Sequence, residues 1–92
     1  MIRGFRHKGL QRFFIKSDRS GIDAKQAARI KRLLDRLDSI MRAEDMALPG
    51  YEFHLLKGNR KGVYAVSVSG NWRITFKFMD GDVLDVNLED YH

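Results

Sequence analysis

The sequence predicts an α+β domain in which two amino-terminal helices pack on one face of a largely antiparallel sheet, in the order β-α-α-β-β-β-β. Three observations predict it. Apolar residues recur at three- and four-residue steps in the first half of the chain, and at every second residue after Tyr51. Short turns containing Gly and Asn separate the period-two runs, and connections that short can join only antiparallel neighbours. With 92 residues there is material for one core, so residues 1–92 read as a single domain.

Ile2 to Phe5 is expected as a short first strand. A helix follows from His7 to about Ser17, with Leu10, Phe13 and Phe14 at helical spacing, and SDRSG at 17–21 makes the turn after it. Asp23 is the expected N-cap of the second helix, and Gln26 completes a capping-box pattern. Ala27, Ile30, Leu34, Leu37 and Met41 then form an apolar stripe, widened by Leu33 and Ile40. Lys25, Arg29, Lys31, Arg32 and Arg36 fall mainly off it and read as a solvated face; direct contact with RNA is the alternative. Pro49-Gly50 closes the helical half.

Four strands are expected beyond it, over 51–57, 62–69, 72–79 and 83 to about 90. In the first, Tyr51, Phe53 and Leu55 share one face and His54 has the other. In the third, Trp72, Ile74, Phe76 and Phe78 alternate with Arg73, Thr75 and Lys77; in the last, Leu84, Val86 and Leu88 oppose Asp85, Asn87 and Glu89. One face of the sheet is therefore apolar and receives the helices. The other is polar and expected to be open.

Seventeen Lys and Arg against twelve Asp and Glu leave the chain at +5, a balance that favours polyanions and nucleic acid first. Cysteine is absent, which excludes disulfides and thiolate metal sites and is compatible with a reducing cytoplasm. MIRGFRHKGLQRFF contains no uninterrupted apolar run, so no secretory signal is expected there, and no segment approaches the length of a membrane-spanning helix.

Several reactive side chains belong to the polar face or its rim. They are His54, Lys57 at the start of the basic loop KGNRKG with its Arg60 and Lys61, Arg73, and the final Asp90, Tyr91 and His92. Tyr91 has polar-face parity; Asp90 and His92 do not, unless the strand stops or bends near Glu89. Imidazole, carboxylate, phenol and guanidinium together suit phosphoryl transfer on RNA. A base takes the 2′-hydroxyl proton, an acid protonates the departing 5′-oxygen, and cations meet the charge that builds on phosphorus. Histidine serves as either near neutrality, and a phenol stacks on a base. No metal is required. Two histidines with Asp90 also form a conceivable zinc set, but their spacing matches no zinc signature.

The run HLLKGNRKGVYAVSVSGNWRITFKFMDGDVLDVNLEDYH resembles HigB-type toxins of bacterial toxin–antitoxin pairs, within the RelE/ParE superfamily, and MIRGFRHKGLQRFF resembles the family's first strand and helix. The most specific pieces are HxLKGxRxG at 54–62, NWRIxF at 71–76 and the terminal DYH. The resemblance implies a RelE-like fold and a cytoplasmic, ribosome-dependent endoribonuclease that cuts mRNA in the A site of the 70S ribosome and needs no cofactor. It implies a HigA-type helix-turn-helix antitoxin, through which operator DNA is reached, and no membrane. His54 and His92 match the catalytic histidines, with Asp90 and Tyr91 beside them; Lys57 and Arg73 match phosphate-binding cations, and Arg60 and Lys61 of the same basic loop are expected to bind RNA phosphates as well. Which group is acid and which is base stays open. ParE-like binding of gyrase, or RNA binding without turnover, is the rival reading; His54, Asp90 and His92 together argue for cleavage.

Overall fold

The computed structural model describes residues 1–91; the expected catalytic His92 lies outside them. Helix α1 spans Lys8–Lys16, α2 Ala27–Ser39, and a four-stranded antiparallel sheet follows, made of β1 (His54–Leu55), β2 (Tyr64–Ser69), β3 (Trp72–Met79) and β4 (Asp82–Asp90) in that spatial order. Short 3₁₀ turns at Ala43–Met46 and Gly58–Arg60 fill the connections. Leu10 of α1 and Ile30, Leu33, Leu34 and Leu37 of α2 share one core with Val66, Ile74, Phe76, Val83 and Val86 of the sheet. No helix among the described residues is long and apolar enough to cross a membrane.

The expected amino-terminal strand is reduced to two isolated parallel bridges, Ile2 with Val83 and Phe5 with Val86. Between those β4 positions lies a bulge. Thr75 pairs with Asn87, but Lys77 pairs with Leu84, so β4 carries one extra residue; Asp85 sits there at φ 53°. The extra residue resets the alternation. Val83 and Val86 both face the core, and Leu84, expected to share that face, does not join it.

His7, expected as the first residue of the helix, instead caps α1, its Nδ1 accepting a hydrogen bond from the Leu10 N–H at 3.0 Å. The capping box at Asp23 does not form. Asp23 accepts from the Lys25 N–H in a tight turn, Gln26 becomes the N-cap, and its side chain donates to Ser69 Oγ. The stripe also ends early. Ile40 leaves the helix with extended geometry, the Asp45 carboxylate takes the N–H groups of Met41 and Arg42 into the next turn, and Met41 is 81% exposed. In the basic face, Arg29 donates to the carbonyls of Gly50 and Ser67 and lies 4.8 Å over the Tyr51 ring, while Arg36 donates to the Asp45 carbonyl. Both are pins between α2 and the segments leading to the sheet.

The strand expected over 51–57 is only two residues long. Glu52 adopts φ 49°, which breaks the extended run, and the parity shifts: Leu55 is exposed and Leu56 buried. Trp72, expected in the core, lies at the sheet's end and is 39% exposed.

Candidate active site

The register fixes what meets on the polar face. His54, Ala65, Thr75 and Asn87 stand opposite one another across four strands, and Ser67, Arg73 and Glu89 form the next row. Ala65, Ser67 and Thr75 make a floor of short side chains. They are buried although they face away from the core, with Glu89 hydrogen-bonded to Thr75 and Arg73 reaching Ser67. The face is covered at these three positions, while His54, Lys77 and Asp85 around them are exposed.

His54 is exposed, and its Nδ1 lies 2.9 Å from the Glu52 carbonyl. A carbonyl oxygen only accepts, so Nδ1 carries the hydrogen, and whenever the ring is neutral its lone pair is on Nε2. The kink at Glu52 that truncates β1 belongs to the same short segment as this hydrogen bond.

Tyr91 follows the last ladder pair of β4. Its N–H donates to the Asn71 carbonyl at 2.7 Å in the β2–β3 turn, and its ring centroid lies 6.4 Å from that of His54, inclined at 58°. Three strand spacings, roughly 14 Å, separate the edges of a sheet this wide. The tyrosine closes that gap over the short floor.

Glu89 had polar-face parity but no expected role, and it proves central. Arg60 grips its carboxylate with both terminal nitrogens, at 2.8 and 2.6 Å, and Thr75 Oγ1 donates to it at 2.5 Å. The Arg60 hydrogen bonds, reinforced by Thr75, hold the Glu89 carboxyl down to about 2 although burial opposes this; the same pairing raises Arg60. Arg60, expected to bind phosphate, is therefore committed to Glu89. It ties the 58–60 turn to the end of β4, within electrostatic reach of Tyr91. The polar-face parity of Glu89 was the one signal that marked it, and it did not point to Arg60.

Arg73 stands in the same row, 16% exposed. Nη1 donates to the carbonyls of Gly70 (2.7 Å) and Trp72 (3.0 Å), and Nη2 lies 3.9 Å from the Glu52 carboxylate. Its Nε–H is buried with no hydrogen-bond partner among the described residues. Backbone carbonyls thus pin a positive charge beside the floor. Lys57 and Lys61 are exposed on the loop, and neither forms an ion pair among the described residues. Asp90, the last residue of β4, is exposed and pairs with Trp72, so strand alternation sets it off from the Arg73–Glu89 row. His54 and Tyr91 come together with the Arg60–Glu89 pair and Arg73 nearby. No three His, Asp or Glu side chains among the described residues are grouped to hold a metal ion.

The family model described as the RelE-like toxin of the type II toxin–antitoxin system HigB matches residues 3–92. The chain is 41% identical to a Proteus vulgaris protein named Endoribonuclease HigB, with both chains covered in full. It is 29% identical to Toxin HigB-1 of Vibrio cholerae, covering 99% of this chain and 98% of that one. Its fold is similar to the crystal structure of a histidine-to-glutamine mutant of YafQ from E. coli, with a TM-score of 0.58 at 17% identity, over 98% of this chain and 93% of the other.

Proposed function

The chain belongs to the RelE-like HigB toxins of type II toxin–antitoxin systems, and on that premise we propose that it is an endoribonuclease that cuts messenger RNA held in the A site of a translating ribosome. The observation that carries this reading is the convergence of His54 and Tyr91 above a floor of short side chains, with fixed cations close by. A nucleotide laid there has an imidazole on one side and a stacking surface on the other.

In the proposed reaction the Nε2 lone pair of His54 takes the 2′-hydroxyl proton. The 2′-oxygen attacks the adjacent phosphorus, the P–O5′ bond breaks, and an acid protonates O5′, leaving a 2′,3′-cyclic phosphate and a 5′-hydroxyl end. The Glu52 carbonyl favours His54 as the base, because it fixes the tautomer whose outer nitrogen accepts. His92, next in sequence to Tyr91, is the proposed acid, and Asp90 the group that orients a histidine. Arg73 and Lys57 offset the charge on the phosphorane, and Tyr91 stacks on the base. The small face orients its substrate only in part, and the ribosome supplies an immobilised codon.

The partner of such a toxin is its antitoxin; a HigA-type helix-turn-helix protein that also contacts operator DNA fits the family. Primer extension on messages from bacteria briefly expressing the chain tests the function. Discrete breaks inside translated codons are expected. Intact messages with altered plasmid supercoiling would replace this reading by gyrase binding.

A further inference from the structure

The polar face continues past the row that carries His54. Beyond Thr75, Lys77 and Asp85 extend it, and with the 58–61 turn and Arg6 they enclose a cleft of about 280 Å³. Arg60 and Glu89 line it too, so the cleft and the His54–Tyr91 region share one ion pair as their common wall.

Three cations line this cleft without a firm anchor. Arg6 and Lys61 are exposed, with no ion-pair partner among the described residues. Lys77 meets Asp85 at 3.6 Å with both side chains 50% exposed, and an exposed pair of that kind is worth at most about 1 kcal/mol. By contrast Arg60 is held by two short bonds to Glu89 and makes a rigid wall. Loosely held guanidinium and ammonium groups around one concavity, beside a proposed RNA-cutting site, match the charge of a phosphodiester.

We infer that this cleft is a second phosphate-binding subsite, which takes the RNA backbone away from the bond that is cut; the inference rests on the RNA-cleaving reading above. Arg6, Lys61 and Lys77 donate to the phosphate oxygens. Asp85 competes with phosphate for Lys77 and tempers the affinity. Asp85 sits in the β4 bulge at φ 53° and stays on the face that carries Lys77.

The competition gives a test with two signs. Asp85→Asn removes the competing charge yet suits φ 53°, because Asn tolerates the left-handed region. A short fluorescent RNA, 2′-O-methylated throughout so that it is not cut, is titrated with the full chain over a range of salt by anisotropy. Asp85→Asn should bind about fivefold more tightly, the equivalent of ~1 kcal/mol. Arg6→Gln and Lys61→Gln should bind more weakly, with the log–log salt slope reduced by about 0.7 for each phosphate no longer neutralised. Cleavage of ribosome-bound message is followed in parallel. If the wild type neither binds RNA nor cuts message, the RNA-cleaving reading and this inference fall together. If it does both while all three variants match it in affinity and slope, or Asp85→Asn weakens binding, the subsite alone is overturned.

Discussion

The rings of His54 and Tyr91 stand 6.4 Å apart between centroids, although the segments that carry them belong to opposite edges of the sheet. The pairing depends on the backbone bond that ties Tyr91 to Asn71 and on the short floor of Ala65, Ser67 and Thr75 between the edges. If Tyr91 stacks on a base, Tyr91→Phe should keep most of the activity on ribosome-bound message. Tyr91→Ala should lose about 1–3 kcal/mol of stacking, read as a rise in KM of roughly 5- to 150-fold. Equal KM values for the wild type and Tyr91→Ala would remove the stacking role.

The Arg60–Glu89 pair should make stability depend on pH in the acid range. The Glu89 carboxyl is lowered from 4.5 to about 2 by its partners, so its contribution is complete above about pH 4.5 and is lost as pH falls through about 2. Denaturant midpoints measured across that range should show the wild type losing its advantage over Glu89→Gln on acidification. A pH-independent difference would show that the pair does not hold the loop.

His7 should act at milder pH. As the cap of α1 it accepts the Leu10 N–H through an unprotonated Nδ1, and burial lowers its pKa below the usual 6.5, with Arg12 adding to the effect. A base whose folded pKa is depressed stabilises the fold fully above its unfolded value, and that contribution declines as pH falls through the folded one. His7→Asn keeps a capping oxygen without the titration, so its thermal midpoint should change less than the wild type's below about pH 6.5. Parallel curves would place the titration elsewhere.

Arg29 and Arg32 separate structural from solvated charge on α2. Arg29→Gln removes two hydrogen bonds to carbonyls and the stacking of the guanidinium on Tyr51, and should cost about 2 kcal/mol by urea denaturation. Arg32 is exposed, and Arg32→Gln should stay within about 0.5 kcal/mol of the wild type. Equal effects would contradict the pinning role of Arg29.

Where periodicity was unbroken, the fold was legible. The Ile30–Leu34–Leu37 stripe and the Ile74–Phe76 alternation lie in the core as their spacing indicates. Legibility failed where a non-glycine residue takes a left-handed conformation inside an alternating run: Glu52 shortens β1 and Asp85 resets β4. At the site, parity alone put His54 and Arg73 on the polar face. The grip of Arg60 on Glu89 was not legible, because it depends on how far a loop folds over a strand 29 residues away in sequence. Parity made Glu89 a candidate without giving it a partner.

The central claim is that His54 acts as the base toward RNA lying over the short floor. Single-turnover cleavage of ribosome-bound message by His54→Gln, compared with the wild type at matched thermal stability, tests it most directly. A fall of about 10²- to 10⁴-fold is the expected result; an unchanged rate would contradict the claim.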